Sequence, residues 1–150
     1  MRVETYSEKH FLDVVRLIKD FHDDAVGEYD RCLDLESVIE TIKTSTWENC
    51  FLLTNEGKCL GLLYGIRIKS PLNGQTIFQE IMWYVDKRYR GVGLKLLYEV
   101  ENLLKSQGVS IIIMAVLENS STEKLKEFYE RVGYKKMETH YMRELNNGIR

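Results

Sequence analysis

Proline is almost absent from this 150-residue chain, with Pro71 the single one. No proline-rich linker therefore divides it. Cysteine is scarce too: Cys32, Cys50 and Cys59 are odd in number and show neither paired zinc spacing nor a redox Cys-x-x-Cys. They read as reduced thiols. The longest purely apolar run, Ile111 to Leu117, falls far short of the roughly 20 residues a bilayer span needs. The residues after Met1 form no signal-like apolar stretch. Neither sign of charge dominates, with 21 Lys and Arg against 23 Asp and Glu. That balance argues against a disordered acidic chain and against a broad basic face for nucleic acid. These absences point to a cytoplasmic globular protein with no nucleic-acid or membrane partner. With 44% hydrophobic residues and no internal repeat, residues 1–150 are expected to share one core and form a single domain.

The periodicity is that of a mixed α/β (α+β) chain. A short strand from Arg2 to Tyr6 is followed by two amphipathic helices. Phe11, Val14, Val15, Ile18 and Phe21 mark the first; Leu35, Val38, Ile39 and Ile42, after the N-cap candidate Asp34, mark the second. Three segments rich in β-branched and aromatic residues come next: Cys50 to Thr54, Lys58 to Ile68 and Thr76 to Val85. The turn signal Asn55-Glu56-Gly57 and the break from Pro71 to Gly74 separate them, which predicts an antiparallel run. Leu96, Leu97, Val100, Leu103 and Leu104 form a helical stripe ending near Gly108, and Val109 to Leu117 reads as a buried strand. A strand, helix and strand of these lengths suggest a parallel crossover unit. Leu125, Phe128, Tyr129 and Val132 mark a last helix stopped by Gly133, with an extended strand expected from Tyr134 to Leu145.

The most informative segment joins the third of these strands to the leucine-striped helix: Val85-Asp86-Lys87-Arg88-Tyr89-Arg90-Gly91-Val92-Gly93-Leu94-Lys95. Two glycines allow close backbone approach, and a helix start presents free N–H groups to an anion. Lys87, Arg88, Arg90 and Lys95 add local positive charge, so a phosphorylated ligand fits. The plain alternative is a tight turn with a solvated basic rim. A P-loop is excluded because Leu94 and Lys95, rather than Lys and Ser or Thr, follow Gly93. The dinucleotide fingerprint is excluded because it needs a third small residue in an early strand-helix unit.

The segment resembles the acetyl-CoA signature of the GNAT superfamily of N-acetyltransferases, Arg/Gln-x-x-Gly-x-Gly/Ala after a valine-ending strand, and the order of elements is also that family's. Arg88-x-x-Gly91-x-Gly93 fits this pattern literally. The spacing from Val85 favours Arg90-x-x-Gly93 with Lys95 at the usual small-residue place. A second match is Phe128-Tyr129-Glu130-Arg131-Val132-Gly133-Tyr134, similar to the family's Phe/Leu-Tyr-x-x-x-Gly-Phe/Tyr segment. The resemblance implies a mostly antiparallel central sheet with a parallel strand-helix-strand cofactor unit and flanking helices. It also implies acetyl-CoA as cosubstrate, with no metal. The pyrophosphate would lie over Arg90, Gly91, Val92, Gly93, Leu94 and Lys95, and the pantetheine arm along the backbone of Trp83, Tyr84 and Val85. The family often has an asparagine seven residues before the tyrosine; here that place is Thr122, with Asn119 nearby as a candidate cofactor contact.

By the same resemblance, the acetyl group passes directly to an amine in a ternary complex, with Tyr129 as general acid. An unperturbed phenol titrates near 10, so it can supply a proton to a departing thiolate. The acceptor ammonium must first lose a proton. Glu80, a charged residue inside an apolar strand, is the leading candidate base, and His22, His140 and Glu118 are weaker ones. A packing role for Tyr129 and a solvent-facing role for Glu80 are the competing readings. The acceptor is expected to be a small-molecule or protein amine. Asp23, Asp24, Glu28, Asp30, Asp34 and Glu36, facing only Arg31, would favour a cationic one unless they form a solvated loop. Tyr29 and Trp47 either line a wall there or pack. Family members are frequently homodimers, so a homodimer enters as an implied partner. The rival function is a catalytically silent acyl-CoA-binding or regulatory module, and a protein-interaction domain without a CoA site is a third.

Overall fold

The computed structural model describes residues 1–26, 33–45, 47–117 and 122–145. They fall into two compact units, Met1–Ala115 and Val116–Arg150. The first holds a five-stranded sheet in the order of the chain: β1 (Arg2–Thr5), β2 (Cys50–Asn55), β3 (Lys58–Lys69), β4 (Thr76–Val85) and β5 (Val109–Ile113). The first three pairings are antiparallel and β4–β5 is parallel, as a mixed sheet with one crossover requires. Helices α1 (Phe11–Phe21) and α2 (Leu35–Thr44) lie between β1 and β2, and α3 (Gly93–Ser106) forms the crossover. The second unit contains α4 (Thr122–Arg131).

Local chemistry accounts for the element ends. The Asp34 carboxylate caps α2, accepting the Ser37 N–H at 3.1 Å. Between β2 and β3, Glu56 (φ 51°) and Gly57 (φ 80°) are both left-handed, the conformation that a two-residue hairpin needs. Gly108 and Gly133 take positive φ after α3 and α4, the backbone state in which a side chain is strained.

Strand alternation divides the core. Cys50, Leu52, Leu62 and Tyr84 pack against Val14, Leu17, Ile18 and Ile42 of α1 and α2. Phe51, Leu53, Leu63 and Phe78 alternate with them and are equally buried, as is the α3 stripe Leu96, Leu97, Val100 and Leu104. Trp47 stacks on Tyr64 at 4.6 Å between ring centroids, and so it packs rather than lining an open wall. Tyr29 lies outside the described residues.

Two strand expectations change. The last paired residue of β5 is Ile113, four short of Leu117, because its ladder with β4 stops at Gln79↔Ile113. Beyond that point the Ala115 N–H goes to a side chain. Tyr134–Leu145 form no strand among the described residues. Apolar alternation specifies a face but supplies no partner edge, and a strand exists only when paired.

Candidate active site

The end of β4 and the turn after it gather most of the residues expected from the sequence. β4 carries an extra residue relative to β3. Tyr64 pairs with Met82 and Gly65 with Glu80, leaving Ile81 as a bulge. Gly65 makes the bulge feasible, since a Cβ there would run into the Gln79 carbonyl oxygen and the Phe78 ring. Gly61 plays a similar part further along, where a Cβ would come within 2.9 Å of the Tyr84 carbonyl oxygen. Neither glycine was singled out in the sequence. The signal was present, because an isolated glycine in a strand pattern marks a bulge or close backbone approach.

Glu80 is buried, with 7% of its surface exposed, so the solvent-facing reading does not hold. Its carboxylate accepts the Ala115 N–H at 2.8 Å. This bond lies just past the last β4–β5 pair, where the two parallel strands part. Burial lifts the carboxyl pKa to about 7, and the Ala115 hydrogen bond pulls the other way. From Glu80 to Val85, β4 runs on outside its ladder with β5, and Trp83, Tyr84 and Val85 lie on this stretch. Their neighbour is the start of α3. A Cβ on Gly93 would sit 3.4 Å from Val85 and 3.7 Å from Trp83, in ordinary contact.

The glycine turn is a helical lead-in, Lys87–Val92, running into α3. Among the described residues, neither Gly91 nor Gly93 has positive φ. A Cβ on Gly91 would meet nothing within 4 Å. Backbone strain and internal packing thus give no reason for glycine at 91, where the space above the backbone is open, whereas Gly93 is buried against Val85 and Trp83. That opening suits the close approach of a ligand.

The four cations of the turn divide into two kinds. Arg88 is held by Asp86 of its own segment through Nε at 3.1 Å and Nη2 at 2.8 Å. These Arg88 hydrogen bonds, against some burial, pull the Asp86 carboxyl down to about 2. Lys95 pairs with Glu99 one helical turn on, at 2.5 Å. Lys87 and Arg90 reach instead to Asp24, at 2.6 and 3.7 Å. Asp24 belongs to the π-helical turn His22–Val26 after α1 and also accepts the Tyr84 hydroxyl at 2.6 Å. Burial first, then the Asp24 carboxylate, pushes the Tyr84 phenol above its ordinary range. Burial opposes ionisation of Asp24, but Lys87 and Tyr84 outweigh it and hold the carboxyl below its usual value.

Part of the acidic charge near the first two helices is therefore used within the chain. Asp24 serves the turn and Asp34 caps α2, whereas Glu28, Asp30 and Arg31 lie outside the described residues. So do Glu118 and Asn119. His22 lies beside Asp23 at 3.3 Å, and His140 beside Glu138 at 3.2 Å. Tyr129 is buried in the second unit, its ring against Phe128 and Tyr134. Among the described residues no group of His, Cys, Asp and Glu is arranged to hold a metal ion. No helix there is long and apolar enough to cross a membrane. Burial pushes the Cys50 and Cys59 thiols up to about 12, which makes them poor nucleophiles.

Comparison with known proteins agrees with this architecture. The family described as "Acetyltransferase (GNAT) domain" matches residues 9–147. No curated protein matches the sequence. Among solved structures, a ribosomal-protein-alanine N-acetyltransferase from Brucella melitensis biovar Abortus 2308 superposes with a TM-score of 0.74 at 11% identity, over 97% of this chain and 100% of the other. An aminoglycoside acetyltransferase from an uncultured soil metagenomic sample, in complex with sisomicin, gives 0.73 at 16%, over 97% and 96%. A transcriptional regulator from Bacillus halodurans C-125 gives 0.74 at 15%, over 96% and 99%. At such identities the likeness is one of fold.

Proposed function

Because the chain belongs to the GNAT acetyltransferase family, we propose that it transfers an acetyl group from acetyl-CoA to a primary amine by direct attack in a ternary complex. Residues 1–150 act as one catalytic domain in the cytoplasm. The observation that carries this reading is Gly91, a glycine that neither backbone conformation nor packing requires, in an open, cation-rimmed lead-in to a helix. Such a place fits a pyrophosphate, and Arg90, Gly91, Val92, Gly93, Leu94 and Lys95 would hold it through backbone N–H groups. The engagement of Arg88 with Asp86 favours Arg90 as the motif's arginine. Trp83, Tyr84 and Val85 would lie along the pantetheine arm, with Asn119 a further contact.

Acetyl-CoA, when bound, supplies an activated acetyl thioester. The chain's own part is proton handling and positioning. Glu80, with a pKa near neutrality, takes a proton from the acceptor ammonium. Tyr129 gives its phenolic proton to the leaving thiolate as the C–N bond forms and the C–S bond breaks, and the second proton of the amine nitrogen, released as the amide forms, restores the phenol. The relatives' names, one an aminoglycoside enzyme and one a ribosomal-protein enzyme, justify screening both small-molecule and protein amines. A homodimer is part of the same reading.

Calorimetric titration with acetyl-CoA, with CoA and ADP as competitors, tests the cofactor site without a known acceptor. One-to-one saturable binding, followed by CoA release with a member of an amine panel, is the expected result. Absence of binding at millimolar acetyl-CoA overturns the reading. Binding without turnover on any amine would favour an acyl-CoA-binding regulatory module, a reading kept because one structural neighbour is named a regulator.

A further inference from the structure

The cations of the glycine turn are not equally available to a ligand. Arg88 and Lys95 are satisfied by carboxylates of their own segment, Asp86 and Glu99. Lys87 and Arg90 share one carboxylate from a distant part of the chain, Asp24. Their side chains are 63% and 57% exposed and each makes a single contact with it, and such pairs are weak and readily exchanged; Arg88, as exposed at 66%, is held at two points by Asp86. Asp24 is different: its side chain is 18% exposed, and the Tyr84 hydroxyl on β4 holds it independently of either cation. The carboxylate would stay in place if both cations left it.

We propose that Asp24 competes with the cofactor's phosphates for Lys87 and Arg90, so that acetyl-CoA binds by taking these two cations from it. This rests on the acetyl-CoA reading of the turn. Asp24 is a positioning residue here, since it acts through the cations and touches no reacting atom. The carboxylate lowers the affinity of the turn for an anion twice over, by occupying its two movable cations and by adding a like charge beside the phosphates. Its own second contact, Tyr84, keeps it from following them.

The test is acetyl-CoA affinity by calorimetry at low and at physiological salt, on the wild type, Asp24→Asn, Lys87→Ala and the double variant, with thermal unfolding of each. Asparagine keeps the size of the side chain and an oxygen for the Tyr84 hydroxyl. Asp24→Asn is expected to bind acetyl-CoA about two- to fivefold more tightly, with the larger gain at low salt. Lys87→Ala should cost more affinity in the Asp24→Asn background than in the wild type, because only there is Lys87 free of its competitor. A purely structural role would lower the unfolding temperature without tightening binding. If Asp24→Asn folds and binds equally or more weakly while the wild type binds normally, the inference is overturned and the cofactor site stands. If no chain binds, wild type included, both fall. Should the asparagine variant not fold, Asp24→Ala is read by the same criteria.

Discussion

Glu80 holds an ionisable carboxyl where an apolar strand interior would ordinarily exclude one. Burial lifts its pKa from 4.5 to about 7, and activity and stability should then respond to pH in opposite directions. A base must be ionised, so kcat/KM is expected to rise with pH through about 7 and level off above it. Folding runs the other way. The folded pKa lies above the unfolded one, so this contribution to stability is complete below about 4.5 and is lost as pH rises through about 7. The slope between is up to about 1.4 kcal/mol per pH unit. Glu80→Gln keeps an oxygen for Ala115 but cannot ionise. It should flatten both profiles and lower turnover by roughly 10²- to 10⁴-fold, as pH-rate and pH-denaturation series would reveal. Gly91 makes a different prediction. Since a Cβ there meets only open space, Gly91→Ala should leave stability unchanged or raise it by about 0.5–1 kcal/mol, yet weaken acetyl-CoA binding. Urea denaturation and calorimetry separate the two effects.

The β3–β4 pair shows how elements place these residues. The bulge at Ile81 displaces β4 by one residue relative to β3, and the Glu80–Ala115 hydrogen bond lies just past the end of the parallel ladder. Gly65 supports the bulge by letting the Gln79 backbone and the Phe78 ring come close. Gly65→Ala is thus expected to destabilise the protein by about 1–3 kcal/mol through overpacking. Its unfolding temperature should fall by roughly 2–4 °C per kcal/mol, and calorimetric melting reads this directly. The helical and antiparallel elements were legible beforehand from their spacing, as was the Asp34 cap. The end of β5 was not, because Met114 to Leu117 are as apolar as the residues that pair. Past Ile113 the chain leaves the ladder, and the Ala115 N–H is taken by a side chain 35 positions away.

Across the whole chain, the proposed acid and base come from different units: Tyr129 from the second and Glu80 from the first. As the proposed general acid, Tyr129 is tested by Tyr129→Phe, which should lower turnover strongly while acetyl-CoA affinity holds. A packing role would instead lower the unfolding temperature and leave turnover on the folded fraction unchanged. Steady-state kinetics beside thermal melts distinguish these outcomes. Periodicity, capping and glycine punctuation are local properties of a chain, carried by neighbours within a few positions. They were enough to indicate the helices, most strands, the place of the glycine turn between β4 and α3, and the family. The titration of Glu80, the hold of Asp24 on Lys87 and Arg90, and the bulge opposite Gly65 arise between residues far apart in sequence. Burial and charge pairing exist only once folding has brought such groups together, so no stretch of sequence could display them.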